Sequence, residues 1–168
     1  VSTSSSSESL PAVLTRLVDA RRVLLIAPTH GRSAALAADA VGERGSVVVL
    51  AADESVAAVR ADTEAARGRV EIVAGEPAGS LPQLRTDDDT TFGVVSVDVS
   101  RAGAAEAVQY LEWALVLGRP GTAVVVTGDA DGATWTAVQD MVDGHPRLAA
   151  ASWTAGTAVI VAAVTDQP

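Results

Sequence analysis

Few side chains in this 168-residue sequence could do chemistry, and their spacing narrows what that chemistry is. Asp98 closes the apolar run Phe92 to Val97, so its carboxylate stands at a strand end, where it can act as a metal ligand or a base. Its plainer role is a helix N-cap or a solvated loop acid. Asp129 and Asp131 follow a second such run, Thr122 to Val126, and with Asp98 they could form a carboxylate cluster. Otherwise they cap a helix that starts near Gly132. His30 follows the run Arg22 to Ile26, and its imidazole titrates in the range that suits a general base. No Ser/His/Asp spacing accompanies it. His145, in Asp143-Gly-His-Pro146, reads as a surface turn residue, and Asp87 to Asp89 as a solvated loop without the calcium-loop pattern. Trp113, Trp135 and Trp153 read as packing residues, with Trp153 also placed to line a subunit contact. The sequence has no cysteine, which excludes a thiol nucleophile, zinc-thiolate sites and disulfides.

These residues need elements to position them, and the hydrophobic pattern supplies an alternating series. Residues 1–9 read as a flexible Ser-rich tail and 10–168 as one domain. Ser9 caps an expected helix from Leu10 to Ala20, in which Leu10, Val13, Leu14, Leu17 and Val18 make one stripe. Expected strands are Arg22–Ile26, Val47–Leu50, Val70–Val73, Phe92–Val97 and Thr122–Val126. Between and after them fall expected helices Ser33–Val41, Glu54–Ala66, Pro77–Leu84, Gly103–Leu117 and Trp135–Val142. Strands Leu148–Trp153 and Thr157–Val164 close the chain as an antiparallel hairpin. The whole is an α/β fold: a Rossmann-like, doubly wound, mostly parallel seven-stranded sheet with a C-terminal antiparallel hairpin. Ligands of such sheets bind at the carboxyl ends of the strands, where strand order reverses.

Composition bounds the partners. A formal net charge of −9 argues against nucleic acid and against an anionic membrane surface. The longest apolar run, Ala158 to Val164, falls far short of the ~20 residues that span a bilayer. With no basic-then-apolar leader at the start, a cytoplasmic location is expected.

Five strings carry a resemblance to a known family. They are Val23-Leu-Leu-Ile-Ala-Pro-Thr-His-Gly-Arg-Ser33, Arg69-Val-Glu-Ile-Val-Ala-Gly-Glu76, Ser80-Leu-Pro-Gln-Leu84, Tyr110-Leu-Glu-Trp-Ala-Leu115 and Gly118-Arg-Pro-Gly121. In order and local sequence the chain resembles class I S-adenosylmethionine-dependent O-methyltransferases of the catechol and caffeoyl-CoA type, from about Leu14 to Val164. The class I methyltransferase fold is what that resemblance implies.

The resemblance also implies sites, several of them altered here. Ala27, Thr29, Gly31 and Ser33 match the cofactor's glycine-rich loop, although Leu25 and Ala27 replace its acid and its glycine, and Pro28 lacks an N–H. Ala51 replaces the acid that takes the ribose hydroxyls, and Asp53 is the nearest substitute. Gly75, Glu76 and Pro77 match the adenine side, and Asp98 also borders the cofactor. Of the family's divalent-metal ligands, Asp98 matches one, while Thr127-Gly128 replaces an Asp-Asn pair with Asp129 close behind. Ser100 and Arg101 stand for a second Asp and a Lys. A cation such as magnesium is therefore not expected. The implied activity is transfer of a methyl group from S-adenosylmethionine to a small-molecule hydroxyl, with His30 or Asp98 taking the proton. Two alternatives stand beside it: a non-catalytic relative acting as an interaction module or homodimer, and a pocket turned to another small ligand.

Overall fold

Successive residues of the inner strands point to opposite faces of one sheet, and both faces are buried, which is why the strands are apolar throughout. The computed structural model describes residues 4–85, 91–155 and 157–166. Strands β1 (Arg22–Ile26), β2 (Ser46–Ala51), β3 (Val70–Ala74), β4 (Phe92–Asp98), β5 (Gly118–Asp129), β6 (Leu148–Ala155) and β7 (Thr157–Val164) form a seven-stranded sheet in the order β3-β2-β1-β4-β5-β7-β6. Pairings from β3 through β5 are parallel, and β7 runs antiparallel to β5 and β6. The doubly wound sheet and its closing hairpin are thus present as expected. Gly156 lies outside the described residues, as do Asp87 to Asp89.

Leu24, Ile26, Val48 and Leu50 face one core, packed under α5 (Ala104–Leu117) and α6 (Ala133–Gly144). Val23, Leu25, Val47 and Val49 face the other, under α2 (Arg32–Val41) and α3 (Asp53–Asp62). A short helix, α4 (Pro77–Ser80), follows β3 and continues as a 3₁₀ turn, Leu81–Arg85. A second 3₁₀ turn, Glu64–Ala66, follows α3, so the helix expected over Glu54–Ala66 is broken at Thr63. Thr63 donates its hydroxyl back to the Val59 carbonyl at 2.7 Å, a local bond that competes with continued helix.

The largest departure lies at the start. Helix α1 runs Ser4–Leu17, so residues 4–9, expected as tail, are its first turns, and Ser9 is interior rather than a cap. Pro11 lies inside it, where it removes one backbone donor. Tertiary contact offsets that loss: α1 packs along α2, and Glu8 reaches across to the loop after β1. Val13 and Leu17 remain exposed on α1, as does Val18 just after it. Elsewhere the differences are one to a few residues at element ends, greatest in β5, which extends in both directions beyond Thr122–Val126.

Of the tryptophans, Trp135 is buried and Trp113 packs half-buried against the same core; the Trp153 side chain lies outside the described residues. His145 is half-buried rather than a surface residue, and its Nδ1 accepts from the Arg147 N–H at 3.2 Å. Arg22 stacks over the Phe92 ring at 4.7 Å. Tyr110 is buried with its hydroxyl donating to Glu106. Burial, that bond and the nearby carboxylates of Glu106 and Glu76 push its phenol well above the usual tyrosine range. No helix among the described residues is long and apolar enough to cross a membrane.

Candidate functional site

Strand order reverses between β1 and β4, and a cleft of about 220 Å³ opens at that point on the carboxyl edge of the sheet. The loop from β1 to α2 contributes Pro28, Thr29 and His30, and the first turn of α2 contributes Ser33. The ends of β4 and β5 contribute Ser96, Asp98, Ser100, Thr127, Gly128 and Asp129. Helix α1 contributes Ser7 and Glu8. Thus His30, Asp98 and Asp129, distant in sequence, line one cavity.

Asp98 is neither a helix cap nor a fully solvated acid. Its Oδ1 accepts from the Ser100 N–H at 3.0 Å and from the Ser100 hydroxyl at 2.6 Å, while the residue capping α5 is Gly103. Asp129 is exposed at the end of β5. It also borders a smaller hollow of about 180 Å³, which Asp131 and Trp135 share. Neither Asp129 nor Asp131 caps α6: Gly132 holds that position without a side-chain bond.

The described residues do not fit a divalent cation. They contain no group of three or more His, Asp or Glu side chains able to hold a metal, so Asp98 and Asp129 stand as a pair. A Cβ added to Gly128 would lie 2.7 Å from Val99 Cγ2, so the space a ligating side chain would need there is filled by a buried valine.

In the loop after β1, Ala27 and Gly31 are not among the residues that line the cleft. Ala27 has φ 55°, the left-handed conformation that favours glycine, and its N–H donates to the Leu50 carbonyl at 2.9 Å. The backbone here still asks for the glycine that the sequence lacks. Ala27→Gly is expected to raise stability by about 0.5–1 kcal/mol, relief of strain outweighing the added chain entropy; urea unfolding measures it, and a loss would show the strain to be absent. Gly31 donates its N–H to Asp62 Oδ2 at 2.9 Å and packs against Val59 and Asp62 of α3. It therefore serves as a joint between loop and helix, while Pro28, Thr29 and His30 of the loop and Ser33 in the first turn of α2 line the cleft.

Asp53, Gly75, Glu76 and Pro77 sit beyond the cleft at the carboxyl ends of β2 and β3. Asp53 is the exposed first residue of α3, Glu76 is exposed, and Pro77 is the buried first residue of α4. Ala51 is buried at the end of β2 and offers no acceptor.

Sequence reasoning missed Glu8, because its stretch reads as polar tail. Both oxygens of this carboxylate are engaged, Oε1 with His30 Nε2 and Oε2 with Arg32 Nε, each at 3.2 Å. Ser96 was also missed, although a serine inside the apolar run of β4 was a legible signal.

No protein-family model matches the chain. It is 30% identical to a catechol O-methyltransferase of Mycobacterium tuberculosis over 151 residues, 81% of this chain and 66% of that protein. It is 29% identical over 128 residues to a catechol O-methyltransferase of Niastella koreensis, 74% of this chain and 57% of that one. The chain thus spans about three fifths to two thirds of the length of these curated relatives. Among solved structures, an O-methyltransferase of Streptomyces achromogenes involved in tomaymycin synthesis, in complex with S-adenosylmethionine, superposes with a TM-score of 0.81 at 27% identity. That match covers 98% of this chain and 81% of the other. Fold, strand order and these likenesses agree, and the chain belongs to the class I O-methyltransferase family.

Proposed function

We propose that the chain binds S-adenosylmethionine along the carboxyl edge of its sheet and transfers the methyl group to a hydroxyl of a small molecule. The observation that carries this reading is the cleft at the strand reversal, lined by Thr29, His30, Ser33 and Asp98, in a chain that superposes on an O-methyltransferase solved with that cofactor. The cavity suits the methionine end, with the Thr29 and Ser33 hydroxyls as hydrogen-bonding groups. Toward the adenosine end the edge is open: Gly75 has φ 115°, and no atom lies within 4 Å of where its Cβ would be. Asp53 then stands nearest the ribose, and Gly75, Glu76 and Pro77 nearest the adenine. Ala27 and Gly31 shape the loop rather than touch the ligand. When bound, the cofactor supplies an activated methyl group; the chain supplies position, exclusion of water and a proton acceptor.

Calorimetric titration with S-adenosylmethionine and S-adenosylhomocysteine tests the reading. Saturable binding near micromolar, about −8 kcal/mol, is expected, and Asp53→Ala should weaken it by about 1–3 kcal/mol as a lost acceptor. No heat at millimolar ligand would refute cofactor binding.

A further inference from the structure

We propose that Glu8 is a positioning residue that holds His30 as the proton acceptor for the substrate hydroxyl, so that this chain activates its substrate without a divalent cation. The inference rests on the methyl-transfer reading above and concerns how that same cleft removes a proton.

The geometry points to His30 on three counts. It is the imidazole that lines the cleft; the other histidine, His145, is held in a turn by its bond from Arg147. Its Nε2 lies 3.2 Å from Glu8 Oε1, so Nε2 carries the hydrogen and donates it, which leaves the Nδ1 lone pair free to accept a proton. The carboxylate is itself fixed, because its other oxygen meets Arg32 Nε at 3.2 Å and its side chain is only 18% exposed. A carboxylate anchored from both sides sets the tautomer and orientation of the ring, and it offsets the positive charge that the ring acquires.

The far wall of the cleft supports the same assignment. Val99 fills the space beside Gly128, and Asp98 Oδ1 is taken by two bonds from Ser100. No group of three or more His, Asp or Glu side chains among the described residues could hold a cation to lower the substrate's pKa, and the His30 imidazole offers a proton acceptor in its place. In the step proposed, the hydroxyl proton moves to His30 Nδ1 while the hydroxyl oxygen forms a bond to the methyl carbon. The bond from that carbon to sulfur breaks, and sulfur keeps the electron pair. The imidazolium, paired with Glu8, then returns its proton to water.

Nitrogen-15 spectroscopy of the imidazoles in the S-adenosylhomocysteine-bound chain gives a readout that does not depend on turnover. His30 is expected in a single tautomer with the hydrogen on Nε2, and Glu8→Ala is expected to give a mixture. A hydrogen on Nδ1 in the native chain, or a spectrum unchanged by Glu8→Ala, would overturn the proposal whether or not a substrate is methylated. With catechol as the probe substrate, turnover should persist in EDTA. His30→Gln should lower kcat on the order of 100-fold or more with little change in KM for the cofactor, and Glu8→Gln about 10-fold. Added imidazole should restore turnover to His30→Ala. Loss of turnover in EDTA, or a His30→Gln variant with native kcat, sinks the inference while leaving cofactor binding intact. Absence of cofactor binding by calorimetry would instead remove the methyl-transfer reading and this inference with it.

Discussion

Gly31→Ala is expected to lower stability by about 3 kcal/mol, at the upper end for overpacking, because the added methyl meets backbone that cannot move aside. A Cβ at Gly31 would lie 2.6 Å from the Val59 carbonyl oxygen and 2.9 Å from both Val59 Cα and Asp62 Cβ. Relief would require the loop to lift from α3. That movement would also break the bond from the Gly31 N–H to Asp62, leaving a part-buried donor unpaired. For a chain of this size the change corresponds to a fall in melting temperature of roughly 6–12 °C, read by circular dichroism. Thr29 and His30 belong to the same loop and Ser33 to the helix turn it leads into, so cofactor affinity should fall as well. A variant that melts within about 0.5 kcal/mol of the native chain, near the scatter of ordinary surface changes, would show that the loop does not rest on α3.

Gly128→Asn is the second change with a large expected effect, and it probes the position where the resemblance implies a metal-ligating asparagine. The substitution is expected to cost about 1–2 kcal/mol and to bring no stabilisation by magnesium. The cause is steric. Its Cβ would sit 2.7 Å from Val99 Cγ2, and valine, branched at Cβ, has few rotamers with which to withdraw. Trp135 Cε3 at 3.5 Å and the Ser100 nitrogen at 3.7 Å close the remaining sides. Because Val99 and Trp135 are both buried, the crowding is transmitted to the core under α6. Pairing the change with Val99→Ala should recover part of the loss, since the two substitutions share one space. Thermal melts with and without saturating magnesium measure both effects. A single variant that keeps the native melting temperature and gains from magnesium would mean that this end of the sheet still accepts a cation.

The two effects differ in kind. At Gly31 the obstacle is backbone, and function should fall together with stability. At Gly128 the obstacle is the buried Val99 side chain, and the main loss should be in stability.

Much of this was legible in the residues themselves. Apolar runs such as Val23–Ile26 and Val47–Leu50, separated by helical stretches, determine a parallel sheet, because only a strand buried on both faces has no need of polar alternation. The helix-forming stripe of Leu111 and Leu115 and the adjoining apolar runs at the C-terminus followed from local periodicity in the same way. The carboxyl end of β4 was legible to within one residue, and with it the position of Asp98, whereas β5 runs on past Val126 to take in Asp129.

Tertiary structure alone decided the rest, wherever the deciding contact spans distant parts of the chain. Nothing local in the Ser-rich start says that residues 4–9 are helical, for their helix is held by packing on α2 and by Glu8 reaching His30 and Arg32. Nor does the sequence of the β1 loop reveal that Gly31 turns its N–H to Asp62, or that Ala27 adopts a glycine-like backbone. That Thr127-Gly128 stands where the resemblance implies an Asp-Asn pair could be read from the residues. That Val99 fills the space beside Gly128 is a fact of packing, because volume is shared among side chains that meet only once the sheet and helices have closed.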